Sequence, residues 1–378
     1  MVDLNNLIPP KIFEITVWNT SRCNLKCKYC FNYALYDVQS QDMDRDTAQA
    51  LINFAKLHLD PNGSLWFFGG EPLVNQDNIT YIVDTAIANK VCHRFGMTTN
   101  ATLLTEDFVD WMKKRNFGIL ISIDGDKEIH DKFRVFADGR GSWEYVWKSI
   151  QLVRKKLTPN PQIRWTVPLD PEIMEKTPKA YKWFLEQGLT SIALDFVYES
   201  DIDTDLLDAA KKMMNEIADI LDPLYQRGVK VFNMMARDTY QTMSSHSRIP
   251  WHSRCGLAQG TIGVTPKGDI VPCHRYVASN AFKVGDVFEG FTNERVKLIE
   301  SWIKYPPYSE EPDLCLRCPY KNACTGGCLA MNYDLFGDIH VVPKTFCLLK
   351  WETVRSFHNL VAKHFELCRE IYSYAGGF

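Results

Sequence analysis

The sequence predicts an α/β fold, a partial (β/α)6 barrel followed by a small cysteine-rich α+β domain. Three observations predict it. From residue 12 to about residue 200, short β-branched or aromatic runs alternate with amphipathic helical stretches, and with the long helix that follows they make about six strand–helix units, the pattern of a parallel sheet with helices outside. The polar motifs of this half fall just after the strands, where such barrels keep their chemistry. After about residue 230 the alternation stops, and cysteine, glycine and proline take over.

In order, Ile12–Trp18 reads as a strand running into a cysteine loop, and Asp46–Leu57 as a helix with an acidic start. Ser64–Phe68 is a buried strand, Ile79–Asn89 a helix, Gly96–Thr99 a strand, Glu106–Arg115 a helix and Gly118–Ile123 a strand. Trp143–Lys155, Pro178–Gln187 and Asp205–Tyr225 read as helices, with strands at Gln162–Pro168 and Ser191–Val197. Thr261–Thr265 and Asp269–Val271 flank Pro266-Lys267-Gly268 as a hairpin. The expected domains are 1–230, 231–350 and a C-terminal helix over 351–378, its pattern beginning near Phe346.

A chain of 378 residues with 46% hydrophobic and 24% charged residues has the balance of a globular protein able to bury a large core. Its net charge of −3 gives no reason to expect nucleic acid or an anionic membrane as partner. Met1–Lys11 lacks a signal-peptide pattern, and no apolar run approaches the roughly 18 residues of a membrane span, so a cytoplasmic location is expected. In that compartment disulfides are rare. Of twelve cysteines, three fall in 23–30 and seven in 255–347, a clustering that points to metal; Cys92 and Cys368 stand apart and read as buried structural thiols.

Cys23, Cys27 and Cys30 are spaced C-x3-C-x2-C. A tetrahedral zinc site asks for a fourth ligand, and none follows at local spacing. A cubane iron–sulfur cluster normally takes four thiolates, so three leave one iron open. A zinc knuckle is the alternative on the triplet alone. The triplet, with Tyr29 before its last cysteine, resembles the signature of radical S-adenosylmethionine (SAM) enzymes, whose barrel is a partial TIM-like one. The resemblance implies that the open iron chelates the amino and carboxylate groups of SAM.

Gly69-Gly70-Glu71-Pro72 follows the second strand and resembles the family's element that holds the SAM amino group; the alternative is a plain strand-to-helix turn. Thr98-Thr99-Asn100-Ala101 and Ser122-Ile123-Asp124-Gly125 match segments ending the third and fourth strands, and the resemblance places Ser122 on the SAM carboxylate. Asp124 is either a site residue or a turn cap. Arg134, in Ile-His-Asp-Lys-Phe-Arg, is either a substrate contact at the barrel mouth or a structural residue. Leu194 opens a segment that resembles the one under the SAM adenosyl group, although plain barrel core is the favoured reading of Leu194 itself.

Cys255, Cys273, Cys315, Cys318, Cys324, Cys328 and Cys347 form a second pattern, C-x12-G-x4-C, a gap, C-x2-C-x5-C-x3-C, a gap, and C. It resembles the SPASM domain, a twitch-type auxiliary-cluster extension of radical SAM enzymes that modify peptides and proteins; zinc-ribbon pairing is the alternative. The resemblance implies three [4Fe-4S] clusters in all. Cys315, Cys318, Cys324 and Cys347 would ligate the outer auxiliary cluster, and Cys255, Cys273 and Cys328 the inner one, whose fourth ligand is unassigned. His274 follows Cys273 where the sulfatase-maturing branch has an Asp base, and reads either as a base or as a hydrogen-bond partner of the cluster.

The family's chemistry implies an oxidoreductase acting on a peptide or protein. A flavodoxin- or ferredoxin-type donor would drive cleavage of SAM to a 5′-deoxyadenosyl radical, which abstracts hydrogen from a residue that is then oxidised, for example into a thioether or carbon–carbon crosslink. Such an enzyme would serve in maturing a ribosomally made peptide. Formylglycine formation on a sulfatase is the second enzymatic reading, and an iron–sulfur electron-transfer or sensor protein the reading of another class. With about twenty residues before Cys23, no added N-terminal recognition domain is expected.

Overall fold

The computed structural model describes residues 11–31, 41–244, 260–277, 282–305, 307–321, 324 and 326–373. In chain order the elements are β1 (Ile12–Thr20), α1 (Arg45–His58), β2 (Leu59–Gly69), α2 (Gln76–Ala88), β3 (Arg94–Thr99), α3 (Glu106–Lys113), β4 (Phe117–Ser122), α4 (Lys127–Phe133) and α5 (Trp143–Lys156). There follow β5 (Gln162–Val167), α6 (Pro171–Glu186), β6 (Ser191–Phe196), α7 (Thr204–Gln226), β7 (Phe232–Asn233), α8 (Met234–Ser244), β8 (Thr261–Val264) and β9 (Asp269–Val271). The last are β10 (Gly285–Asp286), β11 (Gly290–Phe291), α9 (Asn293–Lys304), β12 (Tyr308–Ser309), α10 (Pro312–Arg317), α11 (Leu329–Phe336), β13 (Val341–Val342), α12 (Lys344–Lys363) and α13 (Phe365–Tyr372). The α/β alternation expected from the sequence is present. No helix among the described residues is long and apolar enough to cross a membrane.

Two compact units divide the chain. The first comprises Met1–Ser122, Asp131–Pro161 and Gly256–Lys304. Its strands run in the order β11-β10-β9-β8-β1-β2-β3-β4, with β1 to β4 parallel. β1 is buried along nearly its whole length, with Ile15, Val17 and Trp18 inaccessible, as a strand covered on both faces must be. α1 starts where the Asp44 carboxylate accepts from the Thr47 amide at 2.8 Å, and it buries Ala48, Leu51, Ile52 and Ala55.

The hairpin at 261–271 adds β8 in parallel to β1, Glu14 opposite Thr261 through Val17 opposite Val264. The apolar run Thr261–Val264 completes the open edge of β1, so Gly256–Lys304 belongs to this unit.

The second unit comprises Ile123–His130, Gln162–Cys255 and Tyr305–Phe378. β5, β6 and β7 lie side by side in parallel, with Trp165 opposite Leu194. α6 begins at Pro171, capped by Asp170, and carries Pro178 in its interior rather than at its start. The C-terminal pattern is two helices, α12 and α13, which break at His364.

Candidate active site

The cysteine loop is held in shape by its own unit. Where β1 ends, the Thr20 hydroxyl donates to Asp42 at 2.6 Å and Arg22 forks onto the same carboxylate. Further on, the amides of Lys26 and Lys28 donate to the carbonyls of Val135 and Phe133 at 2.7 and 3.0 Å, so the loop runs as a short ribbon against 133–136. Leu25 and Cys27 turn inward and are buried, while Cys23 and Cys30 are half-buried. A turn closed by the Cys30 amide on the Cys27 carbonyl, at 3.1 Å, brings the last thiol round.

Donors converge on these sulfurs. The Leu25 amide reaches Cys23 Sγ at 3.4 Å, Asn100 Nδ2 reaches it at 4.0 Å, and Arg134 Nη1 lies 3.9 Å from Cys27 Sγ. N–H groups and a guanidinium around a thiol favour its thiolate form, the state in which it binds metal. The chemistry of this donor set fits an iron–sulfur cluster. None of the described cysteines is in a disulfide.

Arg134 is buried here, its guanidinium 5.4 Å from the centre of the Tyr29 ring. The structure thus sets it against the cysteine loop, with its backbone carbonyl held by Ser142 Oγ at 2.8 Å.

The glycine-rich motif packs on the same loop. A Cβ on Gly69 would lie 2.3 Å from the Thr20 carbonyl oxygen, and one on Gly70 would lie 2.2 Å from that of Arg22. Only glycine permits this approach, and through it the amides of Gly70 and Glu71 donate to Thr20 and Arg22. Glu71 is buried; its carboxylate accepts from Thr99 Oγ1 at 2.6 Å, the Asn100 amide at 2.7 Å and the Leu73 amide at 3.2 Å. Burial nonetheless pushes its pKa up to about 7. Pro72 opens a single 3-10 turn, and its carbonyl accepts from Asn19 Nδ2 at 3.0 Å.

From Glu71 a chain of hydrogen bonds runs to the thiols. Asn100, positioned at the end of β3, donates from its side chain to Asn24 Oδ1 at 3.0 Å and reaches Cys23. Ser122, also buried, ends β4. The ring of His274 lies 4.8 Å from that of Phe68 on β2, and Phe68 stacks with Phe31, which lies under the Arg275 guanidinium. The residue after Cys273 is thereby brought to the end of β2, within one unit with Gly69, Gly70 and Cys30.

The second unit holds other expected residues. Asp124 is fully buried; its carboxylate accepts from the Thr166 amide at 2.9 Å and its own amide donates to His130 Nδ1 at 3.2 Å, so it ties the 123–130 segment to β5. Leu194 is inaccessible core of β6.

Cys315, Cys318, Cys324 and Cys347 are drawn together in this unit. Burial pushes the Cys318 thiol up to about 11, and Cys324 and Cys315 add to the shift. Burial pushes Cys347 up to about 12, with Cys324, Cys315 and Cys318 adding to it against a hydrogen bond with Ser309. Thiols that oppose one another's ionisation in this way lie near one another, although among the described residues no group of three or more Cys, His, Asp or Glu is placed closely enough to hold a metal ion. The Ser309 amide donates to Cys315 Sγ at 3.2 Å and the Gly326 amide to Cys324 Sγ at 3.3 Å. Cys328 starts α11 and packs with Cys347 and Tyr198 on Met331, Val342 and Phe346. Cys255 lies outside the described residues, and Cys273 belongs to the first unit.

The sequence reading missed Lys350, one turn beyond Cys347 on α12. Its buried ammonium lies 2.7 Å from Asp238 Oδ2, 3.9 Å from Asp195 Oδ1 and 5.5 Å from the centre of the Tyr198 ring. Burial pulls its pKa down, yet Asp238, Tyr198 and Asp195 outweigh this and hold it well above the usual lysine value. Asp195 also accepts from the Tyr198 hydroxyl at 2.5 Å. A lysine on the apolar stripe with Phe346, Leu349, Thr353 and Val354 was the available signal.

The Radical SAM superfamily model matches residues 20–176, the stretch that carries the cysteine loop, the glycine motif, Asn100, Ser122 and Arg134. The chain carries a radical SAM domain. The family holds a 4Fe-4S cluster and SAM. Over 361 residues the chain is 23% identical to the radical SAM cyclopropyl synthase TigE of Paramaledivibacter caminithermalis, covering 89% of this chain and 71% of that one. It is 24% identical to a cysteine-type anaerobic sulfatase-maturating enzyme of Clostridium perfringens strain 13, over 82% of this chain and 86% of the relative. The solved structure of native anSMEcpe with bound AdoMet and Cp18Cys peptide superposes with a TM-score of 0.76 at 20% identity, covering 95% of this chain and 99% of that one. At that identity the likeness shows a shared fold.

Proposed function

We propose that this radical SAM enzyme is a peptide or protein maturase that oxidises a residue of its substrate, with two auxiliary clusters of SPASM type in addition to the SAM cluster. One observation carries the reading. Cys23 and Cys27 are supplied with N–H donors, and Cys23 is linked through Asn100 and Glu71 to the Gly69–Gly70 backbone, in the same unit as Cys30 and His274.

When bound, the cluster and SAM supply one-electron cleavage to a 5′-deoxyadenosyl radical, which takes hydrogen from the substrate. The chain's residues do the rest. The three thiolates leave room for a ligand that is not protein, and the Arg134 guanidinium opposes their negative charge. Glu71, through the Asn100 amide, fixes the side chain that reaches Cys23. The backbone around Gly69 and Gly70, free of side chains, suits an ammonium group, and Ser122 a carboxylate. His274 would serve either as the base that receives a proton from the substrate or as a hydrogen-bond partner of the cluster beside Cys273. Cys315, Cys318, Cys324 and Cys347 suit a fully ligated outer cluster. By resemblance Cys255, Cys273 and Cys328 would hold an inner one, and such clusters would supply an acceptor for the second electron of an oxidation.

Support for a peptide substrate comes from the second cysteine pattern and from the peptide-bound anSMEcpe structure. Crosslink formation, as a thioether or carbon–carbon bond, is the first product reading; His274, where sulfatase maturases have Asp, favours it over formylglycine. The test is anaerobic reconstitution, followed by SAM cleavage and mass spectrometry of a short precursor peptide encoded beside the gene. Loss of two hydrogens from the peptide with formation of 5′-deoxyadenosine is the expected result. Formylglycine on a sulfatase peptide would establish the second reading, and absence of SAM cleavage would leave only an electron-transfer role.

A further inference from the structure

Strand β5, in the second unit, has two faces of different character. Ile163, Trp165 and Val167 are inaccessible, and Trp165 packs on Tyr181 and Phe184 of α6. Arg164 and Thr166 alternate with them, half-buried, on the face turned away from α6. Across on β6, Arg164 lies opposite Ala193 and Thr166 opposite Asp195. A parallel strand covered on both faces reads as a continuous apolar run, which β5 does not.

Arg164 makes little use of its guanidinium. Among the described residues its side chain has one hydrogen bond, from Nη1 to the Met234 sulfur at 3.8 Å. Its one ion pair is with Asp195, Nη2 to Oδ2 at 3.6 Å, beyond hydrogen-bond reach, and the side chain is 31% exposed. Asp195 is occupied by others, since it accepts from the Tyr198 hydroxyl and the Phe196 amide and faces Lys350. Charge adds to this. Arg164, Lys350 and Arg237 are linked through Asp195 and Asp238, three cations to two carboxylates. Asp124, the other acid tied to β5, accepts from the Thr166 amide and is not in ion-pair reach of Arg164. Partly desolvated cations that outnumber their carboxylates gain from one further anion. A guanidinium presents two parallel N–H groups, a fork that fits a carboxylate.

We propose that Arg164 binds a carboxylate of the peptide substrate, from an acidic side chain or the chain terminus, on the polar face of β5 and β6. Asp195, held by Tyr198 and Lys350, orients the guanidinium from behind. The inference rests on the peptide-maturase reading and adds a chemical feature that the peptide must carry.

The test uses the reconstituted full chain, anaerobically, with SAM. Three probes are titrated by calorimetry: the precursor peptide encoded beside the gene, the same peptide with every Asp and Glu changed to Asn and Gln, and the same peptide amidated at its C-terminus. In Arg164→Gln the Kd of the native peptide should rise about tenfold to a hundredfold. One altered peptide should bind the wild type as weakly, and Arg164→Gln should weaken that peptide no further; which one it is identifies the carboxylate. Arg164→Lys keeps the charge without the fork and should fall between. Iron content and SAM affinity should match the wild type. Stability to urea without peptide should not fall, because Lys350 and Arg237 remain for the two carboxylates. Equal weakening of all three peptides by Arg164→Gln would overturn the proposal, as would a wild type that binds all three alike. Lost stability with unchanged peptide affinity would make Arg164 a structural partner of Asp195, and a raised SAM Kd would give the carboxylate to SAM; either result overturns it. A wild type that binds the peptide through Arg164 yet leaves it unoxidised is a different result, which removes the maturase reading and keeps this site.

Discussion

The loop at Cys23–Cys30 and the shell of Cys315, Cys318, Cys324 and Cys347 both gather thiols, against opposite backgrounds. In the loop, backbone ribbons fix the chain, and amides, Asn100 and Arg134 point at sulfur. In the shell, burial dominates and pushes Cys318 and Cys347 toward the neutral thiol. The first arrangement suits a cluster with an open iron that must change its charge and bind a ligand. Under the proposed function the second, whose cysteines are all half-buried, would suit a fully ligated cluster that contributes its own positive charge to hold the thiolates.

Removing the thiols breaks the comparison most severely. Cys23→Ala/Cys27→Ala/Cys30→Ala should abolish SAM cleavage yet retain iron in the C-terminal sites, whereas Cys315→Ala/Cys318→Ala should lose iron while SAM cleavage persists. Iron and sulfide per chain, with 5′-deoxyadenosine yield, measure both.

Lys350→Met is next. It removes the shared cation of Asp238 and Asp195 inside the second unit while Arg237 and Arg164 still face them, a loss of roughly 2–3 kcal/mol by denaturant unfolding.

Glu71 probes the first unit through pH. A carboxyl whose folded pKa is raised to about 7 stabilises the fold when protonated, fully below its unfolded value and less as pH rises through 7. The shift corresponds to ~3 kcal/mol between those limits. Glu71→Gln should lose an acceptor and be less stable at pH 5, but the gap from wild type should narrow by up to that amount at pH 8.

The smallest effect is expected from pH on the shell. With the first three cysteines replaced, iron incorporation should rise from pH 7 to pH 9, because the raised thiols must lose protons to bind. A flat profile would remove the contrast.

Much of this was legible in the sequence, because periodicity reports burial. β3 and β4, and the helices at 106 and 143, fall within a few residues of their expected bounds. The reading failed where distant contacts decide. Pro178 looked like a helix start, but Asp170 caps α6 seven residues earlier. Thr261–Val264 looked like half of an isolated hairpin, and nothing local says that its other edge pairs with β1. For the site, the cysteine spacing and the glycine pair announced themselves. The placement of Arg134 on Cys27 and the burial of Lys350 did not, since a basic residue's partner is chosen by the fold and not by its neighbours in sequence.

The parallel pairing of β1 with β8 bears on modularity. Severing the chain near residue 244 would strip the backbone from one side of β1, the strand that feeds the cysteine loop. It would leave a row of bare amides, an adhesive edge inviting aggregation. The N-terminal half is accordingly no transplantable cassette. The segment bearing Cys273 and His274 follows directly on that sheet, so a loss of register there would be felt at the cysteine loop.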